Sequence, residues 1–198
     1  MMQMKDRTKA MFAESLENML ETKPLNKIRV LDLCKNCGAA PPTFYYHFHD
    51  KYDLIAWIYL RDIAGALGDQ TPDYSAERLC RSLKLIWQRR SFYQKVFADN
   101  SQNSITGYCM EYVVGMVKDV MTATAGSAPT EEQLLEAKHH SYGVIGLLKE
   151  WVSGETDVPA EVLAEFYYGH TPAFLREAFR KYYFRSDDIL SNAGKHEK

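Results

Sequence analysis

The sequence predicts an all-α protein of about nine helices, and three observations predict it. Glycine and proline are scarce, 11 and 7 of 198 residues, which leaves few punctuators for a turn-rich sandwich or barrel. Apolar residues recur at helical spacing along most of the chain, whereas period-two alternation is sustained nowhere. Hydrophobic residues make up 46% and charged residues 25%, enough to build a packed core and to leave the disordered class.

The elements follow in order. Phe12, Leu16, Met19 and Leu20 fall on one face of a helix that stops before Pro24. A short apolar-rich segment from Ile28 to Cys34 leads to Gly38, to Pro41 and Pro42, and to an aromatic cluster from Phe44 to Phe48. Asp50 is placed to cap a long apolar helix over about 51–67, with Asp53 as a second acid in its first turn. Turn chemistry recurs at Asp69–Asp73, Asn100–Ser104, Thr124–Thr130 and Ser153–Pro159. Between these points Tyr112, Val113, Met116, Val117 and Val120 repeat at helical spacing, and Thr130 with Gln133 forms a capping box. No internal repeat or low-complexity tract is present.

Several classes fall away on composition. The longest apolar run, Leu54 to Leu60, is too short to span a bilayer, and the charged start MMQMKDRTKA lacks the apolar stretch of a secretory signal. Four cysteines without such a signal read as cytosolic thiols, so a cytoplasmic location is expected. The net charge of −2 argues against a nucleic-acid binder when taken alone. Its distribution argues otherwise: residues 1–52 carry eight Lys/Arg against six Asp/Glu, and the remainder carries sixteen against twenty. A slightly basic head thus sits on an acidic body.

The segment with functional chemistry is Ile28 to Ile55, IRVLDLCKNCGAAPPTFYYHFHDKYDLI. It reads as a short helix, a turn at Gly38 where positive φ is needed, a second short helix opened by prolines, and a third helix. In the second of these, Phe44 and Phe48 lie one turn apart and face inward. Thr43, Tyr45, Tyr46 and His47 then point to the other faces with hydrogen-bonding groups suited to phosphates and base edges. Lys51 adds a positive charge near the start of the third helix.

This segment resembles the DNA-binding domain of the tetracycline-repressor (TetR/AcrR) family of helix-turn-helix regulators. The matching residues are Ile28, Val30, Asp32, Leu33 and Gly38, the T-F-Y-Y-H-F run at 43–48, and D-K-Y-D-L-I at 50–55. The TFYYHFHDKYDLI run, with SYGVIGLLKEW at 141–151, is similar to the subgroup that includes activators of dihydroxyacetone kinase operons. The resemblance implies a helix-turn-helix domain over 1–50, a helical effector-binding and dimerisation domain over 51–186 joined through the 51–67 helix, and a polar tail over 187–198. It implies DNA contacts for Pro42, Thr43, Tyr45, Tyr46, His47 and Lys51, an operator duplex as partner, and a homodimer. Three departures stand out. Ala39, Ala40 and Pro41 replace the family's usual Val-Ser and following basic residue, and Leu31 stands where relatives often carry a polar or basic reader.

In the body, Trp87, Tyr108 and Tyr112 are expected to line a pocket for an unidentified small-molecule effector. The dimer is expected to form through helices at about 131–152 and 159–181. In the first of them Gly143 and Gly146 would allow close approach, and Ile145, Leu148 and Trp151 would supply apolar contact. No cofactor or metal is expected. Cys34 and Cys37 lack a second ligand pair, and Glu136 with His139 is half of a di-iron motif without its other half. His139 and His140 are then surface or pocket groups. The basic stretch Arg78, Arg81, Lys84, Arg89, Arg90 and Lys95 reads as a solvated helix face. No nucleophile elbow or phosphate-binding glycine loop is present, which excludes the commoner enzyme classes. A regulator is therefore predicted. The alternative is an all-α protein–protein interaction module that keeps the fold with weak or no operator recognition; an unidentified protein co-regulator stands beside the small-molecule effector as the other candidate partner.

Overall fold

The structure, a computed structural model, describes residues 4–67, 74–99 and 105–181. The turn signals at 69–73 and 100–104 and the polar tail at 187–198 lie outside the described residues. Among those described there are ten α-helices, one 3₁₀ turn and no strand. Helices α1 (Met4–Thr22), α2 (Val30–Cys37), α3 (Pro41–His47) and α4 (Lys51–Leu67) come first, with the 3₁₀ turn Leu25–Lys27 between α1 and α2. Then follow α5 (Ala76–Gln88), α6 (Arg90–Phe97), α7 (Ile105–Ala125), α8 (Glu131–Ser153), α9 (Ala160–His170) and α10 (Ala173–Lys181). The tenth helix arises because the expected 159–181 helix breaks at Thr171. That residue precedes Pro172 and is extended, with ψ 129°, because a proline ring disfavours the helical region for the residue before it.

The head is built on α1, whose Phe12, Leu16 and Leu20 are buried. Phe12 meets Phe44 of α3 edge to face, with centroids 5.1 Å apart. Ser15 Oγ donates to the Leu33 carbonyl at 3.1 Å and accepts from Asn36 Nδ2 at 3.0 Å, so α2 is tied to α1 by a buried hydroxyl. Asp50 caps α4 as its position predicts: Oδ1 accepts from the amides of Tyr52 at 2.8 Å and Asp53 at 3.0 Å. The Thr130–Gln133 capping box at the start of α8 also forms.

Helix α4 is the axis of the molecule. Leu54, Ile55 and Ile58 are fully buried and Trp57 nearly so, as suits a helix covered on several sides. It packs against α1 on the head side and against α5 and α7 on the body side, while α5 lies along α9 and α8 along α6 and α7. A second apolar cluster, with Val117, Val120, Ala137, Leu175 and Phe179, closes the far end where α7, α8 and α10 meet. No described helix is long and apolar enough to cross a membrane.

Candidate nucleic-acid interface

The turn between α2 and α3 is set by Gly38, which adopts φ +68° at the end of α2. A side chain there would be strained in the left-handed region, so glycine is the residue that permits the reversal. The Ala39 amide then donates to the Cys34 carbonyl at 2.9 Å and closes the end of α2. Helix α3 opens differently from most. Ala40 is extended and offers no side-chain cap, and the prolines occupy the first helical positions, where a missing N–H costs nothing.

Along α3 the inward and outward faces separate as the spacing predicts. Phe44 and Phe48 are buried in the head core. Pro42 and Thr43 are exposed, and Tyr45 and Tyr46 remain 60% and 69% exposed. Two adjacent aromatic side chains are thus left open on a short helix. His47 is half-buried and packs edge-on against Tyr46 at 4.9 Å.

Two cations near the motif are engaged in intramolecular contacts. Arg29 donates from Nε and Nη2 to the two carboxylate oxygens of Asp32, each at 3.0 Å. The guanidinium hydrogen bonds hold the Asp32 carboxyl down at about 2, so the pair is ionised throughout the physiological range. Lys51 Nζ donates to the carbonyls of Leu25 at 2.7 Å and Ile28 at 3.0 Å. Burial pushes this ammonium below its usual value. Its two hydrogen bonds bind the chain entering α2 to the start of α4. Lys23, Lys27 and Lys35 are exposed.

The other expected sites fare less uniformly. Trp87 is partly exposed on α5 and stacks on Trp151 at 4.6 Å. Tyr108 lies on α7 and donates its hydroxyl to Asp50 Oδ2 at 3.0 Å. The two therefore serve different junctions, and the side chain of Tyr112 lies outside the described residues. Of the residues expected at the dimer face, Ile145, Leu148 and Trp151 are buried in their own chain's core. At 100° per residue they belong to the inward face of α8. Gly143 and Gly146 are exposed, with nothing within 4 Å of a Cβ built on either. The apolar residues that stand outward are Leu135 and Tyr142 on α8 and Val162 and Phe166 on α9.

The basic stretch is likewise not one solvated face. Arg78 is buried, Lys84 pairs with Glu161 at 2.6 Å, and Arg81 pairs with Glu77. Arg89 enters a network that sequence reasoning missed. It binds Glu17 of α1 at 2.8 Å and also Asp62 of α4. Arg61 binds the same Glu17 at 2.9 Å and Asp62 at 3.2 Å, and Tyr93 of α6 donates to Asp62 at 2.7 Å. No described group of three or more His, Cys, Asp or Glu is arranged to hold a metal ion.

Residues 73–169 match the TetR C-terminal family described as a transcriptional regulator C-terminal region. The chain is 44% identical over 50 residues to the HTH-type transcriptional regulator EthR of Mycobacterium tuberculosis, 25% of this chain and 23% of EthR. The chain thus resembles the TetR family of transcriptional regulators. It is 25% identical over 91 residues to DhaS, the HTH-type dhaKLM operon transcriptional activator of Lactococcus lactis, covering 46% of this chain and 49% of DhaS. The aligned part thus spans about half of one relative and a quarter of the other. Two solved TetR-like structures share the fold. A TetR transcriptional regulator from Rhodococcus sp. RHA1 covers 94% of this chain and 98% of its own, at 20% identity and a TM-score of 0.51. The dihydroxyacetone kinase operon activator DhaS covers 89% and 98%, at 16% identity and a TM-score of 0.50. These relatives are named as transcriptional regulators or as an operon activator.

Proposed function

We propose that this TetR-like chain acts as a homodimeric, sequence-specific DNA-binding regulator whose operator affinity is set by a small-molecule effector in the helical body. The observation that carries the DNA reading is the outward face of α3. Pro42, Thr43, Tyr45 and Tyr46 stand exposed while Phe44 and Phe48 anchor the helix beneath them. In a helix-turn-helix the second helix enters the major groove, and its outward side chains meet base edges and backbone. His47 borders the same surface. Lys51, at the start of α4, would add a positive charge near the DNA backbone.

One head gives too small an interface for selective binding, and a two-fold dimer doubles it. The outward apolar residues Leu135, Tyr142, Val162 and Phe166 support a dimer through α8 and α9, and the open Gly143 and Gly146 would let two α8 helices approach closely. Tyr167 Oη donates to the Val144 carbonyl at 2.9 Å, which fixes α9 against α8. The functional division proposed is a DNA-binding domain over 1–50 and a body over 51–186, with α4 between them.

Effector control needs a mechanical path, and among the described residues two sets of side-chain ties serve it beside the Lys51 contacts. One is the Glu17–Arg61–Asp62–Arg89–Tyr93 network. The other joins the start of α4 to the body through Tyr108 with Asp50, and through Tyr52 with Asp99 at 2.8 Å. An effector that favours one body conformer shifts head spacing through these ties, and linkage requires DNA to alter effector affinity by the same factor. In DNA complexes the two α3 helices would sit about 34–36 Å apart or somewhat further.

The deciding experiment is a mobility-shift titration of the full chain against the promoters of its own and neighbouring operons, in competition with unrelated duplex. A retarded complex that resists competitor supports the reading. Equal competition by every duplex at physiological salt would favour the protein-interaction alternative, which the missing side-chain cap at Ala40 makes worth testing.

A further inference from the structure

The chemistry exposed on the motif is unusual for a groove reader. The outward residues of α3 are Pro42, Thr43, Tyr45 and Tyr46, and the helix contains no Arg, Lys, Asn or Gln. On α2, Leu31 is 53% exposed, one turn from the exposed Lys35. Among the described residues of the head, the large apolar side chains left exposed are Leu31, Tyr45 and Tyr46. All three belong to the two helices of the motif.

Each base pair offers a distinct pattern in the major groove. Guanine is read by the paired donors of Arg or Lys, adenine by the amide of Asn or Gln, and thymine by apolar contact with its 5-methyl group. Two cations flanking the motif are engaged, Arg29 by the Asp32 carboxylate and Lys51 by two backbone carbonyls. Lys23, Lys27 and Lys35 remain exposed, and residues 23–51 carry five Lys/Arg against two Asp/Glu. That balance complements a phosphate backbone without specifying bases.

We propose that the surface formed by Leu31, Pro42, Thr43, Tyr45 and Tyr46 reads thymine 5-methyl groups, selecting an A·T-rich half-site, with Leu31 as a specificity-determining residue. This rests on the DNA-binding reading above and adds the base chemistry that the reading leaves open. Burying an exposed leucine and two tyrosine faces against methyl groups removes apolar surface from water on both partners. Against a guanine edge the leucine and the tyrosine ring faces would desolvate O6 and N7 without supplying the paired donors that Arg or Lys gives. The tyrosine and threonine hydroxyls then serve backbone oxygens and single acceptors at the margin.

The test is to select bound duplexes from a random pool with the full chain. The recovered site is then resynthesised with deoxyuridine replacing thymidine one position at a time, and affinity is read by fluorescence anisotropy. Uracil pairs as thymine does and lacks only the methyl. Thymine-rich half-sites are expected, with each contacted methyl contributing about fourfold in affinity. Leu31→Ala, checked for an unchanged melting curve, should lose a similar factor on the thymine duplex and little more on the duplex already lacking the matching methyl. Guanine-centred sites indifferent to uracil within twofold would overturn the proposal while leaving DNA binding intact. Methyl dependence unaltered by Leu31→Ala would remove Leu31 from it. A pool yielding no enriched duplex would overturn the DNA-binding reading itself, and this proposal with it.

Discussion

Tyr108 on α7 donates its hydroxyl to Asp50 Oδ2 at 3.0 Å, while the other oxygen of Asp50 caps α4. One carboxylate thus holds both the start of the connecting helix and a residue of the body. Burial, reinforced by the Asp50 charge, pushes the phenol well above its ordinary value, so it stays a donor throughout the physiological range. Tyr108→Phe should lower stability by about 1–2 kcal/mol, the scale of a hydrogen bond to a charged acceptor at a partly exposed site. Urea unfolding measures it, and the helical content should be unchanged because the cap survives.

The network around Asp62 predicts a larger loss. Asp62 is buried, and Arg61, Arg89 and Tyr93 all reach it. Arg89→Met leaves Asp62 and Glu17 to share Arg61, at a cost of about 2 kcal/mol after allowance for partial exposure. Tyr93→Phe should cost about 1–2 kcal/mol. Because both act on one carboxylate, the double variant should depart from additivity by more than about 0.5 kcal/mol. Additive losses in chemical unfolding would mean that the two contacts are independent.

Acid should weaken the far end of the body through His140. This half-buried imidazole lies 3.4 Å from the Thr171 hydroxyl, which also bonds Tyr74 Oη at 2.8 Å. Burial first, then the neighbouring His139 and His170, push its proton affinity below the ordinary value. The folded state therefore binds fewer protons than the unfolded chain. Its contribution to stability is present above about pH 6.5 and is lost as pH falls below that value. Melting temperature followed from pH 8 to pH 5 should decline in this window, and His140→Gln should flatten the decline.

The two faces of α8 should answer differently to substitution. Gly146→Trp meets open space within the protomer, so it should fold and yet abolish a dimer formed through the outward face. Trp151→Ala removes a buried ring that stacks on Trp87 and donates to the Val158 carbonyl at 2.8 Å. It should cost about 3–5 kcal/mol of protomer stability. Sedimentation velocity separates the cases; a dimer persisting in the glycine variant would place the interface elsewhere.

The contrast between what could and could not be read in the chain is physical. Gly38, the two prolines, the Asp50 cap and the Phe44/Phe48 spacing act within a few residues, so local chemistry discloses the helix-turn-helix. The phase of α8 was harder because apolar residues stand on both of its sides. Tyr142 and Leu135 look no different in sequence from Ile145 and Leu148, and only the packed body says which pair is covered. Glu17 and Arg89 lie 72 positions apart (89 − 17), and no local pattern announces that they meet. Lys51 belongs to the same class, since its carbonyl partners lie 23 and 26 residues earlier.

Helix α3 is fastened to the head by Phe44 and Phe48 and by little else that points inward. Two anchors and a fixed turn hold the frame, and the outward side chains add only ring contacts at its edge, Tyr45 with Phe44 and Tyr46 with His47. Exchange of Thr43, Tyr45 or Tyr46 should therefore leave the melting temperature nearly untouched while changing what is bound. That separability lets ancestry preserve the scaffold while vocabulary drifts, so close kin with superimposable heads can address different promoters. It also makes the helix a practical cartridge for redesign, in which new targets are written onto a surface that the fold does not need.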